Sequence, residues 1–255
     1  GHSLIPLMKT RLAEPAVLID LGKISTLSYI NEQDGGLAIG AMTTYSEIAG
    51  SELVQSNAPV LAEASGQVAD NQIRNRGTIG GSLSHSDPAG DLPAVALALG
   101  AQLTTSSSGA HRTISADDFF VDLLTTALEP NEILSEIVIP ALPAGTGTAY
   151  AKFANKASHY AVVGVAAVVT VGSDGTCQSA RIGITGAGPK ATRATGTESA
   201  LVGSNLDDLA VRAAASHAGD GIDFNEDVHA SGEYRAHLIS VYAARAIRAA
   251  VENAS

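Results

Sequence analysis

Residues 78–88, Thr-Ile-Gly-Gly-Ser-Leu-Ser-His-Ser-Asp-Pro, form a glycine-rich segment that ends at a proline. Glycine permits a positive φ, so such a segment can bring successive backbone N–H groups onto an anion such as a pyrophosphate. The hydroxyls of Thr78 and Ser82 add donors, and the carboxylates of Asp87 and Asp91 are suited to the hydroxyls of a ribose or ribityl chain. A Gly-Gly pair is also typical of a plain tight turn, and the residues alone leave both interpretations open.

Short strands and helices alternate around this segment in the first half of the chain. The apolar run Ala16–Asp20 predicts a strand. The turn Asp34-Gly35-Gly36 before Leu37–Ala41 predicts a hairpin. Pro59 begins an apolar stripe that predicts one helix over Pro59–Ile73. We further predict a helix over 91–99 and strands at 101–105 and 132–139.

The second half follows a different plan, with strands first and helices after them. Strands are predicted at Tyr150–Phe153, Ala161–Val171 and Thr176–Ile184, and Asp174-Gly175 predicts a hairpin between the last two. Prolines and glycines between residues 140 and 147 mark a boundary. We therefore expect an α+β protein with one domain over residues 1–145 and a second, with an antiparallel sheet, over 146–255. Three helices are predicted in this second domain, over 192–202, 206–216 and 233–251.

The composition excludes several classes of function. The chain is 45% hydrophobic and 16% charged, which is typical of a globular protein with a real core. Its net charge of -11 disfavours phosphate backbones and anionic lipid, so nucleic acid is not an expected partner. Cys177 is the only cysteine, so the chain cannot hold an internal disulfide, a four-cysteine zinc site or an iron–sulfur cluster of its own.

No metal site and no membrane span are expected in this chain. His2, His85 and His159 lack the spacing of metal ligands, and a loop hydrogen bond is the expected role of each. No apolar run reaches the roughly 18 residues that a membrane span requires. The sequence opens without a signal peptide, so we expect a cytoplasmic protein, with membrane association through partner subunits left open.

A second glycine-containing segment stands at the start of the sequence, Gly-His-Ser-Leu-Ile-Pro-Leu-Met-Lys at residues 1–9. It resembles the first FAD-contacting loop in the flavin subunits of aerobic carbon monoxide dehydrogenases and related xanthine dehydrogenase-type molybdenum hydroxylases. The segment at 78–88 resembles the second FAD-contacting loop of that family. Four further matches follow in the family's order, at residues 132–134, 150–153, 160–163 and 233–238.

The resemblance implies both the fold and the cofactor site. The fold would be an FAD-binding domain of the vanillyl-alcohol-oxidase type and a C-terminal α+β domain. In the family a small N-terminal subdomain precedes the first loop, and since the sequence begins inside that loop we expect the subdomain to be missing. The implied FAD-contacting residues are Gly1, His2, Ser3, Leu4, Thr78, Gly80, Gly81, Ser82, His85, Asp87, Asp91, Ile133, Leu134 and Lys152.

The resemblance also implies the function, an electron-transfer subunit that binds FAD and has no catalytic residue of its own. A large subunit with a molybdenum cofactor would oxidise the substrate, with carbon monoxide as the first expectation. A small subunit with [2Fe-2S] clusters would pass the electrons on, in a dimer of heterotrimers. Quinone, oxygen and a pyridine nucleotide stay open as final acceptors. The alternatives are a self-sufficient flavoprotein oxidase and a non-catalytic interaction module that has lost FAD.

Overall fold

Two antiparallel sheets, a two-stranded ribbon and the helices around them make up the fold, as a computed structural model describes it for residues 1–254. The strands are β1 Ile30–Gln33, β2 Gly36–Gly40, β3 Gln102–Ser107, β4 Ala110–Ser115, β5 Phe120–Asp122, β6 Thr125–Thr126, β7 Ile133–Ile139, β8 Thr146–Ala154, β9 Ala161–Val171, β10 Cys177–Thr185 and β11 Thr192–Arg193. The helices are α1 Leu4–Lys9, α2 Tyr45–Gly50, α3 Glu52–Asn57, α4 Pro59–Gly66, α5 Asn71–Arg74, α6 Ile79–His85, α7 Asp91–Leu99, α8 Ala116–Phe119, α9 Thr195–Leu201, α10 Asp208–Ala215 and α11 Gly232–Glu252.

The first sheet has five strands in the order β1-β2-β7-β3-β4, and every neighbouring pair is antiparallel. The predicted hairpin before Leu37 is confirmed as β1–β2. Asp34 and Gly35 at its tip have φ of 49° and 76°, the conformation that a two-residue turn between twisted strands requires. The predicted strands at 101–105 and 132–139 are confirmed as β3 and β7.

The second sheet has four strands in the order β11-β10-β9-β8 and is also antiparallel. Residues Ala161–Val169 of β9 are all buried. Helix α11 packs on one face of β8 and β9, and α7 packs against β9 and β10. Val163 and Val165 belong to the core under the C-terminal helices, whereas Ala166 and Val168 belong to the core of the first half. Burial on both faces explains why this strand is apolar throughout instead of alternating.

Helix α7 is shared by the two halves of the chain, and all nine of its residues are buried. Its backbone touches β10 directly, because a Cβ at Gly183 would lie 2.0 Å from the carbonyl oxygen of Ala94. Arg181 on β10 donates through Nη2 to the carbonyl oxygen of Leu97 at 2.8 Å. The two halves therefore pack as one body around α7.

Three side chains of the second half hold the region that follows α7. Arg181 donates to the Asp117 carboxylate at 3.0 Å, and Arg193 lies 3.3 Å from the same carboxylate. Lys190 donates through Nζ to the carbonyl oxygens of Phe120 at 2.8 Å and Val121 at 2.9 Å. These contacts fix α8 and the β5–β6 ribbon against the second sheet.

Two expectations from the apolar pattern are wrong. The run Ala16–Asp20 is not a strand, because no strand within residues 1–254 lies beside it and its backbone is exposed. The helix predicted over Pro59–Ile73 is two helices, α4 and α5. Between them Ala69 has a φ of 40°, and Asp70 caps α5 by accepting from the N–H of Ile73 at 3.0 Å.

The long helix predicted at the C-terminal end is confirmed as α11. Across residues 1–254 neither α11 nor any other helix has the length and apolarity to cross a bilayer.

Candidate functional site

The glycine-rich segment at 78–88 is a short helix, α6, and not the open loop expected from its glycines. Thr78 caps the helix, since its Oγ1 accepts from the N–H of Gly81 at 3.1 Å. Gly80 presses against the end of β2, and a Cβ at Gly80 would lie 2.5 Å from the Cβ of Ala41. The first of the two glycines therefore serves a close backbone approach.

The N–H groups at the start of α6 already have acceptors inside the protein. Ile79 donates to the carbonyl oxygen of Thr43 at 3.0 Å, and Gly80 donates to that of Ala41 at 2.8 Å. Gly81 and Ser82 both donate to oxygens of Thr78. The expected convergence of these amides on an anion is thus not seen at these four residues.

A cleft of about 520 Å³ lies between α6, the N-terminal segment and the start of β7. Ten of the fourteen residues predicted to contact FAD line it: Gly1, His2, Ser3, Leu4, Thr78, Gly80, Gly81, His85, Ile133 and Leu134. The N-terminal segment, expected as a loop, forms α1 from Leu4 onward. The cleft therefore brings together residues more than 130 positions apart in sequence.

The lining of the cleft is both apolar and charged. Leu128, Ile133 and Leu134 are among its apolar residues, and Asp20, Arg76 and Glu132 are charged. A second hollow of about 620 Å³ shares Arg76 and Asp20 with it. Two adjoining hollows with this mixed lining suit a dinucleotide with a flat ring system, a diphosphate and a second base.

Arg76 lines both hollows but is not among the residues that the motifs predicted. The neighbouring Arg74 is committed to the protein, because its Nη1 donates to the carbonyl oxygen of Val68 at 2.7 Å. Arg76 lines both hollows, and within residues 1–254 no carboxylate pairs with it. Burial, the amino terminus and the Arg76 charge, in that order, lower the pKa of His2, whereas Asp70 opposes them. Arg74 and Arg76 stand just before the glycine segment in the sequence. Only the fold shows that Arg74 binds a backbone carbonyl whereas Arg76 lines the hollows.

Four predicted contact residues lie outside the lining of this cleft. Ser82 lies on α6, and its side chain opposes the rise that burial causes in the pKa of Tyr45. Asp87 lines a separate hollow of about 360 Å³, together with Tyr160. Burial and the nearby Asp87 raise the pKa of Tyr160 to about 12.

The other two predicted contact residues outside the cleft are Asp91 and Lys152. They form a buried ion pair between the two halves of the chain. Lys152 Nζ donates to Asp91 Oδ2 at 2.9 Å, and these side chains are only 2% and 5% exposed. The Tyr150 hydroxyl donates to Asp91 Oδ1 at 2.5 Å. Burial raises the pKa of Asp91, and Lys152 and Tyr150 oppose that rise. Contact of these residues with FAD stays a prediction, and the structure assigns them first to this buried network.

The Glu132 carboxylate, at the border of the cleft, gives a pH-dependent prediction. It accepts from Nε and Nη2 of Arg112, both at 2.6 Å, and from the N–H of Glu129 at 2.9 Å. The hydrogen bonds from Arg112, followed by that from Glu129, lower the pKa of Glu132 to about 2. A carboxyl whose folded pKa is depressed stabilises the fold above its unfolded pKa and loses that contribution as the pH falls through the folded value.

We therefore expect Glu132→Gln to reduce the free energy of unfolding at about pH 6 and to have a progressively smaller effect at about pH 3 and below. Urea unfolding of both proteins at several pH values measures this difference. An effect of equal size at both pH values would contradict the assignment.

Two family descriptions cover nearly the whole chain. Residues 1–142 match the FAD binding domain in molybdopterin dehydrogenase, and residues 148–250 match the CO dehydrogenase flavoprotein C-terminal domain. These matches confirm the predicted combination of an FAD-binding domain with a C-terminal flavoprotein domain.

Relatives of full length agree with this assignment. The carbon monoxide dehydrogenase medium chain of Hydrogenophaga pseudoflava is 40% identical over 250 residues, which is 98% of this chain and 87% of the relative. The 6-hydroxypseudooxynicotine dehydrogenase complex subunit alpha of Paenarthrobacter nicotinovorans is 38% identical over 254 residues, covering 100% of this chain and 86% of the relative. A solved carbon monoxide dehydrogenase from Hydrogenophaga pseudoflava, which lacks the Mo-pyranopterin moiety of its cofactor, superposes with a TM-score of 0.96 at 40% identity. That match covers 100% of this chain and 88% of the solved chain.

Proposed function

Because the chain belongs to the family of FAD-binding medium subunits of carbon monoxide dehydrogenase and related molybdenum hydroxylases, we propose that it holds FAD in the two-part cleft. It acts as the electron-transfer subunit of a multi-subunit complex. A partner subunit with a molybdenum cofactor oxidises the substrate, and a partner with iron–sulfur clusters delivers the electrons. The complex is a cytoplasmic dimer of heterotrimers.

The observation that carries this proposal is the mixed lining of the cleft. Its apolar residues Leu128, Ile133 and Leu134 suit the flat isoalloxazine, and the guanidinium of Arg76 suits a diphosphate. The second hollow offers room for the adenosine. Bound FAD supplies the redox chemistry, and the protein supplies placement and electrostatics.

The residues of this chain have three tasks in that arrangement. The apolar residues of the cleft exclude water from one part of the ring system. Arg76 provides a positive charge in an otherwise acidic protein of net charge -11. Thr78 and Gly80 hold α6 at the end of β2, and the position of α6 sets the width of the cleft.

Substrate choice belongs to the molybdenum-bearing partner. The carbon monoxide dehydrogenase relative and the 6-hydroxypseudooxynicotine dehydrogenase relative are 40% and 38% identical to this chain, so nearly equal similarity accompanies two very different substrates. Carbon monoxide remains one candidate substrate and organic compounds another. FAD in the cleft would receive the electrons from either class of substrate.

The test is the cofactor content of the complex purified after co-expression with its two partner subunits. We expect a flavin absorption spectrum, FAD as the nucleotide that acid releases, and iron and molybdenum in the same fractions. Substrate oxidation by the isolated chain would instead favour a self-sufficient oxidase. A flavin-free native complex would overturn the proposal in favour of an interaction module.

Arg76 gives a prediction on cofactor affinity. A charge-assisted hydrogen bond contributes about 1.5–3 kcal/mol, so Arg76→Ala is expected to weaken FAD binding roughly 10- to 100-fold. Arg76→Lys keeps the charge but not the forked donor, so its affinity for FAD should lie between those of the wild-type chain and of Arg76→Ala. Fluorescence titration of the deflavinated complex with FAD measures the affinity, with Arg212→Ala as the control because that arginine lies on α10 and is exposed. Equal affinities for all variants would remove Arg76 from the site.

A further inference from the structure

The hollow that Asp87 and Tyr160 line lies between the two halves of the chain and outside the FAD cleft. It has a volume of about 360 Å³. Its wall comes from residues 87–89 of the first half and from parts of 155–162 and 225–235 of the second, together with Gly186. We call it the Tyr160 hollow. A concave site of this size, at a junction of domains and with several polar groups in its wall, has the character of a small-molecule site.

A buried guanidinium fixes one part of the wall. Arg235 on α11 is only 4% exposed, and its Nη1 donates to the carbonyl oxygens of Val162 at 2.7 Å and Gly186 at 2.6 Å. Its Nη2 donates to Asp227 Oδ2 at 2.7 Å. Arg235 thus ties the start of β9, the residue after β10 and the loop before α11 to one another. A hollow held in this way is preorganised, which lowers the ordering cost of binding.

The part of the wall that belongs to the first half is tied to the same strands. The Thr185 hydroxyl and the N–H of Gly186 donate to the carbonyl oxygen of Pro88 at 2.9 Å and 2.7 Å. Asp87 Oδ1 accepts from the N–H of Ala89 at 2.8 Å, so its carboxylate is fixed as well. The two halves therefore build the hollow together.

The Tyr160 hollow adjoins the proposed FAD cleft. His85 lines the cleft and Asp87 lines the hollow, and His85 Nε2 lies 3.7 Å from Asp87 Oδ2. At this place a pair of side chains separates the two cavities. A molecule in the hollow is therefore a neighbour of the cofactor's cleft without competing for it.

The size and the charge of the hollow restrict its ligand. The two hollows proposed for the FAD dinucleotide measure about 520 and 620 Å³, so about 360 Å³ suits a single ring system better than a second dinucleotide. Asp227 neutralises Arg235, and Asp87 adds a further carboxylate. No other Lys or Arg lines the hollow within residues 1–254. This balance disfavours the diphosphate of a pyridine nucleotide and favours an uncharged ligand.

The wall offers a ring face and a hydrogen-bond donor. Tyr160 is 48% exposed, so an aromatic face is available for stacking. Asn155 is oriented through its Oδ1, which accepts from the N–H of Ala157 at 2.9 Å, and its Nδ2 is a donor. A planar, uncharged ring that carries carbonyl oxygens matches both groups.

We propose that the Tyr160 hollow binds a quinone as the electron acceptor, with Tyr160 stacked on the quinone ring and Asn155 donating to a carbonyl oxygen. This inference rests on the proposed function, because only reduced FAD in the adjoining cleft supplies the electrons. Reduction of a quinone to its quinol takes up two electrons and two protons. FADH2 releases the same number of each when it returns to FAD, so the exchange balances.

The test is the binding of menadione, a small naphthoquinone, to the oxidised and FAD-loaded complex in the absence of substrate. Isothermal titration calorimetry measures the affinity, and the bound FAD keeps the quinone out of the cofactor's cleft. We expect saturable binding to the wild-type complex and roughly 10-fold or more weaker binding to Tyr160→Ala. Tyr160→Phe keeps the ring face and should bind within about 3-fold of the wild type.

The matched control is Tyr234→Ala. Tyr234 is 43% exposed on α11 and lies outside the wall of the hollow, so its loss should leave the affinity for menadione unchanged. All three variants should keep the flavin absorption of the wild-type complex. NAD⁺, titrated in the same way, should show no binding that depends on Tyr160.

The outcomes separate the two proposals. A wild-type complex without FAD sinks the proposed function. Normal FAD content together with no menadione binding, or with equal affinity in the wild type and Tyr160→Ala, overturns the quinone assignment alone. Binding of NAD⁺ that weakens in Tyr160→Ala would give the hollow to a pyridine nucleotide and overturn the assignment. Loss of FAD from Tyr160→Ala would place this tyrosine in the cofactor site and overturn it as well.

Discussion

Asp91→Ala is expected to lower the free energy of unfolding by about 3–5 kcal/mol, since it leaves a buried cation without its partner. Lys152 Nζ lies 2.9 Å from Asp91 Oδ2, and its side chain is almost wholly buried between α7 and β8. The Tyr150 hydroxyl would lose its acceptor in the same step. Urea unfolding measures the change through the shift of the midpoint.

Two further variants separate the ion pair from simple packing. Lys152→Met should cost less than Asp91→Ala, because burial already favours the neutral form of Asp91. Asp91→Leu combined with Lys152→Met should recover most of the loss, as apolar replacements of buried pairs often do. A change of less than about 1 kcal/mol for Asp91→Ala would mean that Lys152 reaches solvent in the variant.

Gly80→Ala is expected to weaken FAD binding by displacing a wall of the cleft. The new Cβ would lie 2.5 Å from the Cβ of Ala41 and 2.6 Å from its carbonyl oxygen, so α6 must move away from β2. Such overpacking costs about 1–3 kcal/mol and shifts the wall of the cleft. The measurements are the flavin-to-protein ratio of the purified complex, which should fall, and its affinity for FAD, which should weaken roughly 5- to 150-fold for an equivalent loss of binding free energy.

The control for this variant is Gly50→Ala. Gly50 also lies in a helix, and a Cβ there meets nothing within 4 Å. It should leave the flavin content unchanged and the stability equal or slightly higher. Full flavin content in Gly80→Ala would show that α6 does not set the cleft width.

Turn chemistry and apolar runs predicted most strands of the two sheets, but they missed β4 and assigned the residues of β11 to a helix. Asp34-Gly35 and Asp174-Gly175 each gave a hairpin, because a left-handed turn depends on local residue types. The conformation of the glycine-rich segment at 78–88 was harder to predict. Thr78 and its following glycines are compatible with a loop or a helix, and contacts with Ala41 and Thr43, distant in sequence, decide for the helix.

Ten of the fourteen residues that the resemblance implies line one cleft. Lys152, another of the fourteen, lies on β8 and pairs with Asp91, and its contact with the flavin stays a prediction. Arg76 was overlooked because Arg74 and Arg76, just before the glycine motif, form no recognisable pattern in the sequence. Its significance appears only when α5, α6 and the N-terminal segment come together around it.

Helix α7 has a consequence for how the molecule melts. Its nine residues are all buried, six of them share one core with Ala166 and Val168 of β9, and Gly183 and Arg181 fasten β10 to its backbone. Neither half can open without exposing apolar surface of the other, so heat or denaturant should produce a single cooperative transition. Amide hydrogens of α7 and β9 should exchange only through that global opening, and a cofactor held by the first half should slow their exchange throughout the second half as well.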